Sequence, residues 1–326
     1  MHAICPSYKL SLLQLLSFDR ACKKYIDKNN PDIVFGFFRN TCLQTHYRAG
    51  NGCHKAYLER RKATDPFWKR LTYAINPLHR FILDCEKRTF ESPELRCLIV
   101  NSHLVQREIE AYYPKVTKDK IKVIHNGVEW NELKKPFEDS FSARDALLSE
   151  LGLQKESFKL LFIGHEWKRK GLGLLLNALK ASPKDIELMV VGSDRHENEF
   201  KGLAHSLGLS SQIHFYGKRS DAWRFYSVAD VCVIPSMYDP FANVTVEALA
   251  MGCFVISSAD NGGSEVLQTG QTGFVFNDLQ NPEQLAECIL KSRSFTKNPQ
   301  RALDIRNSVQ HLDFQNQLAK LIALIT

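Results

Sequence analysis

Residues 231–247 read Val-Cys-Val-Ile-Pro-Ser-Met-Tyr-Asp-Pro-Phe-Ala-Asn-Val-Thr-Val-Glu. The apolar run that ends at Pro235 predicts a buried strand, and the pattern that opens near Asn243 predicts a helix. The loop between them would present backbone N–H groups at a helix N-terminus, where the helix dipole favours an anion such as a diphosphate. We therefore expect an anion-binding loop at this point of the chain.

Two carboxylates belong to the same segment. Glu247 falls about one turn into the predicted helix, where it is placed to accept hydrogen bonds from a ribose diol. Asp239 lies eight positions earlier in the loop and is free to face a transferred group. The alternative interpretation of each residue alone is a capping carboxylate for Asp239 and a surface glutamate for Glu247.

Strands and helices alternate regularly around this segment. Short loops between them favour a doubly wound parallel sheet, which binds ligands beyond the carboxyl ends of its strands. The predicted strands are 159–163, 187–191, 213–216, 231–234 and 254–257. The predicted helices are 172–181, 197–207, 221–228 and 244–251.

The first half of the chain gives a less regular pattern. We predict an amphipathic helix, a buried strand, one or two helices broken near Asn76-Pro77, a strand, a helix capped by Ser102, a strand, and a helix that Gly152 ends. These elements are 10–29, 33–38, 68–89, 98–100, 102–113, 120–124 and 142–151. The predicted domains are 1–135, 136–305 and a C-terminal helix, 306–326, that packs back towards the first domain.

Composition limits the class of protein. The 326 residues suit two domains, and no apolar run approaches the ~18 residues that span a bilayer. Because no signal peptide is recognisable, we expect a cytoplasmic protein. Nine scattered cysteines without a CxxC pair predict reduced, mostly buried thiols and no metal site.

Charge is distributed unevenly. Residues 1–140 hold 24 Lys and Arg against 16 Asp and Glu, whereas the remainder holds 19 against 20. A stretch within 55–70 alternates basic residues with Tyr57, Phe67 and Trp68, and such a stretch suits peripheral contact with anionic lipid or a phosphorylated acceptor. A solvated helical face is the alternative. We expect no nucleic-acid partner, since no binding motif accompanies the charge.

Taken together, Asp239 and Glu247 resemble the acidic signature of glycosyltransferase family 4, in which seven residues separate two acidic ones. The family has Glu first, in a Glu-x-Phe-Gly pattern, where this chain has Asp239, Phe241 and Ala242. Other segments resemble the family in order along the chain. They are Ile124–Val128 ("NGV"), Phe162–Gly164 with Lys168–Gly171, Val190–Gly192, Phe215–Gly217, and Asn261–Glu265 with Gly270–Phe274 ("GG-x-x-E … G-x-T-G").

The resemblance implies the GT-B fold, with two Rossmann-like domains, and a set of site residues. Lys170, with Arg169 beside it, is the candidate cation for the leaving diphosphate, although His165 stands where the family commonly has Arg. A solvated loop is the alternative for these cations, and turn residues are the alternative for the glycines. The implied donor-binding residues are Gly164, Arg169, Lys170, Gly192, Gly217, Phe241, Ala242, Asn243, Val244 and Glu247, and the implied catalytic residues are Asp239, His54 and Lys170.

Within the family, residues 47–61 most resemble the lipopolysaccharide core glucosyltransferase branch. There a "RAGDGxH" segment faces the acceptor, which implies acceptor-side roles for Arg48 and Asn51 and a catalytic role for His54. Asn51 replaces the usual Asp, and a structural histidine is the alternative for His54. Because nothing before Ile33 offers the family's glycine-rich loop, we expect the N-terminal domain to be incomplete.

The expected function is retaining transfer of a hexose from a nucleotide-sugar donor, UDP-linked, to a lipopolysaccharide core or other glycan or lipid-linked acceptor. It implies no cofactor and no metal ion. Two alternatives remain. One is a nucleotide-sugar-binding protein without turnover, because of the incomplete first domain. The other is a GT-B sugar epimerase, against which the Asp239 and Glu247 signature speaks.

Overall fold

A computed structural model describes residues 11–37 and 43–325. Contacts divide the chain into two compact units. The first comprises Met1–His125 and Ala319–Thr326, and the second comprises Asn126–Leu318. This division falls earlier than the predicted boundary after residue 135.

The first unit contains a parallel four-stranded sheet whose strands follow in chain order. Its strands are β1 (Phe35–Gly36), β2 (His46–Arg48), β3 (Cys97–Val100) and β4 (Ile121–Val123). Its helices are α1 (Ser11–Asn29), α2 (His54–Thr64), α3 (Phe67–Ile75), α4 (Pro77–Phe90) and α5 (His103–Tyr112). The central strand β3 is buried throughout, so the core of this unit lies around it.

Two helix starts in the first unit follow the predicted capping chemistry. The Asn76 side chain accepts a hydrogen bond from the Leu78 N–H at 2.9 Å, and Pro77 occupies the first helical position, where its missing N–H costs nothing. Ser102 Oγ accepts from the Val105 N–H at 3.2 Å. The predicted break near Asn76-Pro77 and the Ser102 cap are therefore confirmed.

The predicted buried strand over 33–38 is wrong in extent. Among residues 33–37, only Phe35 and Gly36 pair with β2 as strand residues, while Ile33 is 44% exposed and Phe37 is 53% exposed. A run of apolar letters without period-two alternation does not say which residues are buried. The end of this prediction, Phe38, and the start of the first predicted helix, Leu10, lie outside the described residues.

The second unit is built on a parallel six-stranded sheet in the order β10-β9-β8-β5-β6-β7. Its strands are β5 (Phe158–Ile163), β6 (Ile186–Val191), β7 (Ile213–Gly217), β8 (Val231–Ile234), β9 (Phe254–Ser258) and β10 (Gly273–Phe276). The helices that follow along the chain are α6 (Lys134–Asp139), α7 (Arg144–Glu150), α8 (Leu172–Leu179), α9 (Glu197–Ser206), α10 (Ala222–Val228), α11 (Asn243–Ala250), α12 (Pro282–Ser292), α13 (Pro299–Ser308) and α14 (Phe314–Ala323).

The predicted alternation over 159–257 is confirmed, with element bounds within two residues of the predicted ones. Strands such as β6 and β8 are buried on both faces, as the strands of a parallel sheet covered by helices must be. Strand β10, helices α6 and α12, and the first part of α13 were not predicted. The single helix predicted over 306–326 is instead the end of α13 followed by α14.

The strand order reverses between β5 and β8, which pair at Leu160↔Val231 and Leu161↔Cys232. At such a reversal the two following loops leave the sheet in opposite directions and open a crevice at its carboxyl edge. The loop 164–171 follows β5 and the loop 235–242 follows β8. The candidate anion-binding loop therefore lies at the switch point of this sheet.

Seven cysteines fall within the described residues, and all are free thiols, five of them buried. The prediction of reduced, mostly buried thiols is confirmed for these seven. Cys5 and Cys42 lie outside the described residues. Across the described ranges, no helix combines the length and the apolar character that crossing a bilayer requires.

Candidate functional site

An ion-pair cluster joins the two loops at the switch point. The Lys170 ammonium lies 2.5 Å from Asp239 Oδ2, and Arg169 Nη1 lies 3.4 Å from the same oxygen. Only 11% of the Asp239 side chain and 14% of the Lys170 side chain are exposed. Asp239 was predicted to be free in its loop. That is wrong, because its carboxylate is buried and holds the two predicted cations.

Arg169 ties the loop 164–171 to the loop 235–242 by further bonds. Its Nη1 donates to the Tyr238 carbonyl at 2.9 Å, and its own carbonyl accepts from the Met237 N–H at 2.8 Å. Burial alone would lower the pKa of Arg169, but the carboxylates of Glu166 and Asp239 raise it on balance. The guanidinium therefore stays charged and fixes the spacing of the two loops. A merely solvated loop does not describe this cluster.

The buried side chain of Trp167 anchors the loop 164–171 to the core. This side chain is fully buried, and its Nε1 donates to the Gly164 carbonyl at 2.9 Å. The Trp167 N–H donates to Asp194 Oδ2 at 2.7 Å. With its middle residue held this way, the loop presents Lys170 from a fixed backbone, as a preorganised cation requires.

Asn261 fixes the backbone directly before α11 by hydrogen bonds. Its side-chain oxygen Oδ1 accepts from the N–H groups of Ala242 and Gly263, at 2.9 and 3.0 Å. The N–H of Ala242, predicted to bind the donor, is therefore already used. Within residues 11–37 and 43–325, the N–H groups of Asn243 and Val244 form no hydrogen bond to a protein acceptor. These two remain as anion donors at the helix N-terminus.

The side chains around these donors are fixed as well. Phe241 is 3% exposed and Ala242 4%, so both pack into the core, and any contact with a donor is left to their backbone. Asn126 Nδ2 donates to Asn243 Oδ1 at 2.7 Å, so the Asn126-Gly127 turn braces the start of the helix. The predicted strand–loop–helix segment is thus held by core packing of Phe241 and Ala242 and by hydrogen bonds from Asn126 and to Asn261.

Glu247 lies half-buried in the second turn of α11. Burial raises the pKa of its carboxyl group, while a hydrogen bond from Tyr226 and the charge of Lys170 oppose that rise. Tyr226 donates to Oε2 at 2.9 Å. The Glu247 carboxylate is therefore close enough to Lys170 to feel its charge, and the Tyr226 hydroxyl orients it.

The three predicted donor-binding glycines form a row along the carboxyl edge of the sheet. Gly164 follows β5, Gly192 follows β6 and Gly217 ends β7. The Gly164 N–H donates to Val191 at 2.9 Å, and the Gly192 N–H donates to Gly217 at 2.8 Å. A Cβ at Gly192 would lie 1.9 Å from the Gly164 carbonyl oxygen. Gly192 is therefore needed for the packing of the strand ends themselves, whereas Gly217 faces open space.

In the first unit, His54 is buried and partnered. Its Nε2 lies 3.0 Å from His79 Nδ1, and its backbone N–H donates to Glu86 Oε1 at 2.6 Å. Burial, and then the charge of Arg61, lower the pKa of His79, so that ring is neutral and able to accept from His54. These contacts give His54 a structural role. Its catalytic role remains a prediction.

The two acceptor-side residues differ in setting. Arg48 ends β2 and is half-buried, and burial lowers the pKa of its guanidinium. Asn51 is exposed in the turn before α2. Asn101 Nδ2 donates to the Gly50 carbonyl at 3.0 Å and fixes that turn.

Three residues of the site were given no role in the sequence-based prediction: Tyr226, Asn261 and Asp194. Asn261 carried a signal, because an Asn two residues before a glycine N–H is typical of an Asx-turn. Tyr226 and Asp194 carried none, since each acts on a partner more than twenty positions away in sequence.

Comparison with known families agrees with this geometry. A model of the family described as "Glycosyl transferases group 1" matches residues 143–312. A model described as "Glycosyltransferase Family 4" matches residues 2–131. The first match covers the whole switch-point site and more than half of the chain.

Individual relatives match over different lengths. Spore coat protein SA of Bacillus subtilis is 30% identical over 205 residues, which are 59% of this chain and 54% of that protein. The lipopolysaccharide glucosyltransferase WaaG of Escherichia coli is 23% identical over 298 residues, which are 90% of this chain and 76% of that protein. The chain thus spans about half of the first relative and three quarters of the second.

Solved structures share the fold. The crystal structure of WaaG has a TM-score of 0.79 with this chain at 21% identity, over 98% of this chain and 85% of that one. Anabaena HepE in complex with UDP-glucose has a TM-score of 0.67 at 18% identity, over 96% and 84%. The expected GT-B fold, with two Rossmann-like α/β domains, is confirmed. On the family match, the switch-point site and the fold together, this chain belongs to the group 1 glycosyltransferases of family 4.

Proposed function

We propose that this protein is a retaining glycosyltransferase that moves a hexose from a UDP-linked donor to a lipopolysaccharide core or related glycan acceptor. The observation that supports this most is the meeting of Lys170, Asp239 and the free N–H groups of Asn243 and Val244 at the switch point. A lipopolysaccharide glucosyltransferase among the relatives, and a structural neighbour that holds UDP-glucose, support the choice of donor and acceptor.

The chemistry assigns a role to each group. As the bond from the sugar C1 to the diphosphate oxygen breaks, negative charge grows on the leaving phosphate. The Lys170 ammonium and the two N–H groups stabilise that charge where it develops. Glu247 accepts hydrogen bonds from the ribose hydroxyls. Because Lys170 and Arg169 already supply fixed positive charge, transfer proceeds without a divalent metal ion.

The test is to incubate the protein with UDP-glucose and a truncated lipopolysaccharide core, and to follow UDP release and the anomeric configuration of the product. We expect UDP release that depends on the acceptor, product with the configuration of the donor, and no loss of rate in EDTA. Calorimetric titration with UDP separates the alternative function. Binding of UDP without turnover of any UDP-hexose would identify a nucleotide-sugar-binding protein instead.

We also propose that the enzyme works at the inner face of a membrane through α3. Four of its large apolar side chains are 59–72% exposed, whereas Tyr73 is buried. At 100° per residue the four fall on the face opposite Tyr73, so the outward face of this helix is apolar, the reverse of an ordinary surface helix. The exposed residues are Phe67, Trp68, Leu71 and Ile75.

An anionic lipid surface is the occupant that the charges favour. Lys69 and Arg70 flank the apolar face and are exposed, and the first 140 residues carry the whole positive excess of the chain. Other cations of the basic stretch are paired internally, as Arg60 is with Glu108 at 2.6 Å and Arg61 with Asp65 at 2.8 Å. An apolar face between basic residues is typical of a helix that lies in the headgroup region.

We expect Leu71→Glu to weaken binding to vesicles that contain anionic phospholipid by about tenfold or more, because it removes one apolar side chain that would enter the lipid and adds a charge that the anionic lipid repels. Co-sedimentation with vesicles measures this. The matched control is Leu290→Glu, which alters an exposed leucine of α12 and should leave binding unchanged. Equal binding of both variants, or loss of a dimer rather than of vesicle binding, would contradict a lipid-facing α3.

A further inference from the structure

Tyr226 is a buried polar residue beside the site for which the family signature gives no role. It lies on α10, is 2% exposed, and directs its hydroxyl at Glu247 Oε2 from 2.9 Å. A buried tyrosine hydroxyl needs a partner, and its partner here is the carboxylate expected to receive the donor ribose. The contact therefore links a core helix to the binding surface.

The backbone of Tyr226 is held in place from the opposite side. Its carbonyl accepts from the Lys297 ammonium at 2.8 Å and from the Cys253 thiol at 3.1 Å. Both contacts are buried. With its carbonyl clamped and its ring in the core, the tyrosine has no freedom to turn its hydroxyl away from Glu247.

In the hydrogen bond between Tyr226 and Glu247, the tyrosine hydroxyl is the donor. Burial, and then the charge of Glu247, raise the pKa of Tyr226 well above its ordinary value, so the hydroxyl keeps its proton and donates. Only one carboxylate oxygen is used in this way. Within the described ranges, no protein donor bonds Glu247 Oε1, so that oxygen is left for a ligand hydroxyl.

From this geometry we infer that Tyr226 is a positioning residue, which fixes the rotamer and the ionised state of Glu247 so that its second oxygen meets the ribose diol of the donor. The inference rests on the proposed function, since it deepens the role of Glu247 in that same site. Tyr226 does not touch the substrate and acts only through the carboxylate.

Removing the hydroxyl isolates this role. In Tyr226→Phe we expect the Kd and KM for UDP-glucose to rise about fivefold to tenfold, the loss of one net hydrogen bond, with kcat changed less than about threefold. The matched control is Tyr216→Phe. It removes a tyrosine hydroxyl that donates to the Leu151 carbonyl at 2.7 Å in the same unit, and it should leave both constants unchanged.

The pH profile separates positioning from a structural defect. The ionisable groups that act on Glu247 are Tyr226 on α10 and Lys170 before α8, and the charge of Glu247 in turn raises the pKa of Cys232 on β8. A hydrogen bond to an ionised carboxylate lowers its pKa, so its removal raises that pKa further. UDP-glucose affinity, which needs ionised Glu247, should therefore begin to fall at a higher pH in Tyr226→Phe than in the wild type. A mere loosening of α10 would weaken affinity equally at every pH.

A double variant completes the test. If Tyr226 acts through Glu247, Tyr226→Phe has no further effect on UDP-glucose affinity once Glu247→Ala is present. A Tyr226→Phe enzyme with wild-type affinity and pH profile, in a protein where Glu247→Ala does weaken binding, overturns the inference and leaves the proposed function standing. A wild-type protein that fails to bind UDP-glucose at all overturns the proposed function itself.

Discussion

Lys170→Ala is expected to lower the rate of sugar transfer by about a hundredfold to a thousandfold, the usual effect of removing one preorganised group that stabilises transition-state charge. Lys170 is fixed by Asp239 at 2.5 Å and lies on a loop anchored by buried Trp167, so its charge needs no reorganisation as the diphosphate leaves. Initial rates of UDP release from UDP-glucose, at saturating acceptor, measure the effect. Lys180→Ala, at an exposed lysine on the other end of α8, is the control and should keep full activity.

A loss of activity in Lys170→Ala has a second explanation that must be separated. The substitution removes the nearer cation from the buried Asp239 carboxylate and leaves Arg169 at 3.4 Å, and a buried charge deprived of a partner destabilises a protein by about 3–5 kcal/mol. The double variant Lys170→Met with Asp239→Asn removes both charges. We expect it to unfold at nearly the wild-type temperature and still to transfer sugar no faster than Lys170→Ala. Recovery of turnover in this neutral pair would show that Lys170 serves the fold and not the leaving group.

The two halves of the chain differ in how far they could be predicted, and the reason is physical. Strands of the second unit are mostly apolar, because both faces of a parallel sheet are covered, and β5, β6 and β7 end at or directly before a glycine. Strand β2 carries His46 and Arg48 in only three residues, and β1 has two residues. Such short strands form because neighbouring strands pair with them, and this pairing cannot be predicted from the local sequence pattern.

The starts of helices α12 and α13 could have been predicted from a short sequence signal, although no helix was predicted there. Each begins at an Asn-Pro pair, Asn281-Pro282 and Asn298-Pro299, in which the Asn side chain caps the helix. Asn76-Pro77 starts α4 in the same way, and there the break was predicted. Asn30-Pro31 follows a helix instead. The dipeptide therefore marks a helix boundary, and only the apolar pattern that follows says whether a helix begins.

For the site, the strand order could be expected to bring Lys170 and Asp239 near each other, since both follow strands that flank a switch point. The pairing itself could not be predicted. Asp239 was expected to face the sugar because it lies in a loop, but the short Asp side chain reaches back to Lys170. Asp239 pairs with Lys170 because both side chains are buried together. That burial depends on how the loop 164–171 packs on the loop 235–242.

That packing depends on Gly171, and Gly171→Ala is expected to be strongly destabilising. Gly171 has φ of +81°, and a Cβ there would lie 1.9 Å from the Pro235 carbonyl oxygen. The Pro235 carbonyl directly follows β8 and cannot yield without disturbing the switch point, so we expect a loss of about 3 kcal/mol or more, measured from the urea midpoint. Donor affinity should fall with it, because the displaced loop carries Lys170.

Two other glycines separate the clash from the backbone strain. Gly152 and Gly208 have φ of +69° and +71°, and a Cβ at either position would meet no atom within 4 Å. Alanine at each should therefore cost only the strain of a left-handed residue, about 1 kcal/mol, with donor affinity unchanged. If Gly171→Ala unfolds at the same urea concentration as these two controls, the Gly171 backbone does not pack against the Pro235 carbonyl. The support argued for Lys170 and Asp239 would then rest on the bonds of Arg169 to Met237 and Tyr238.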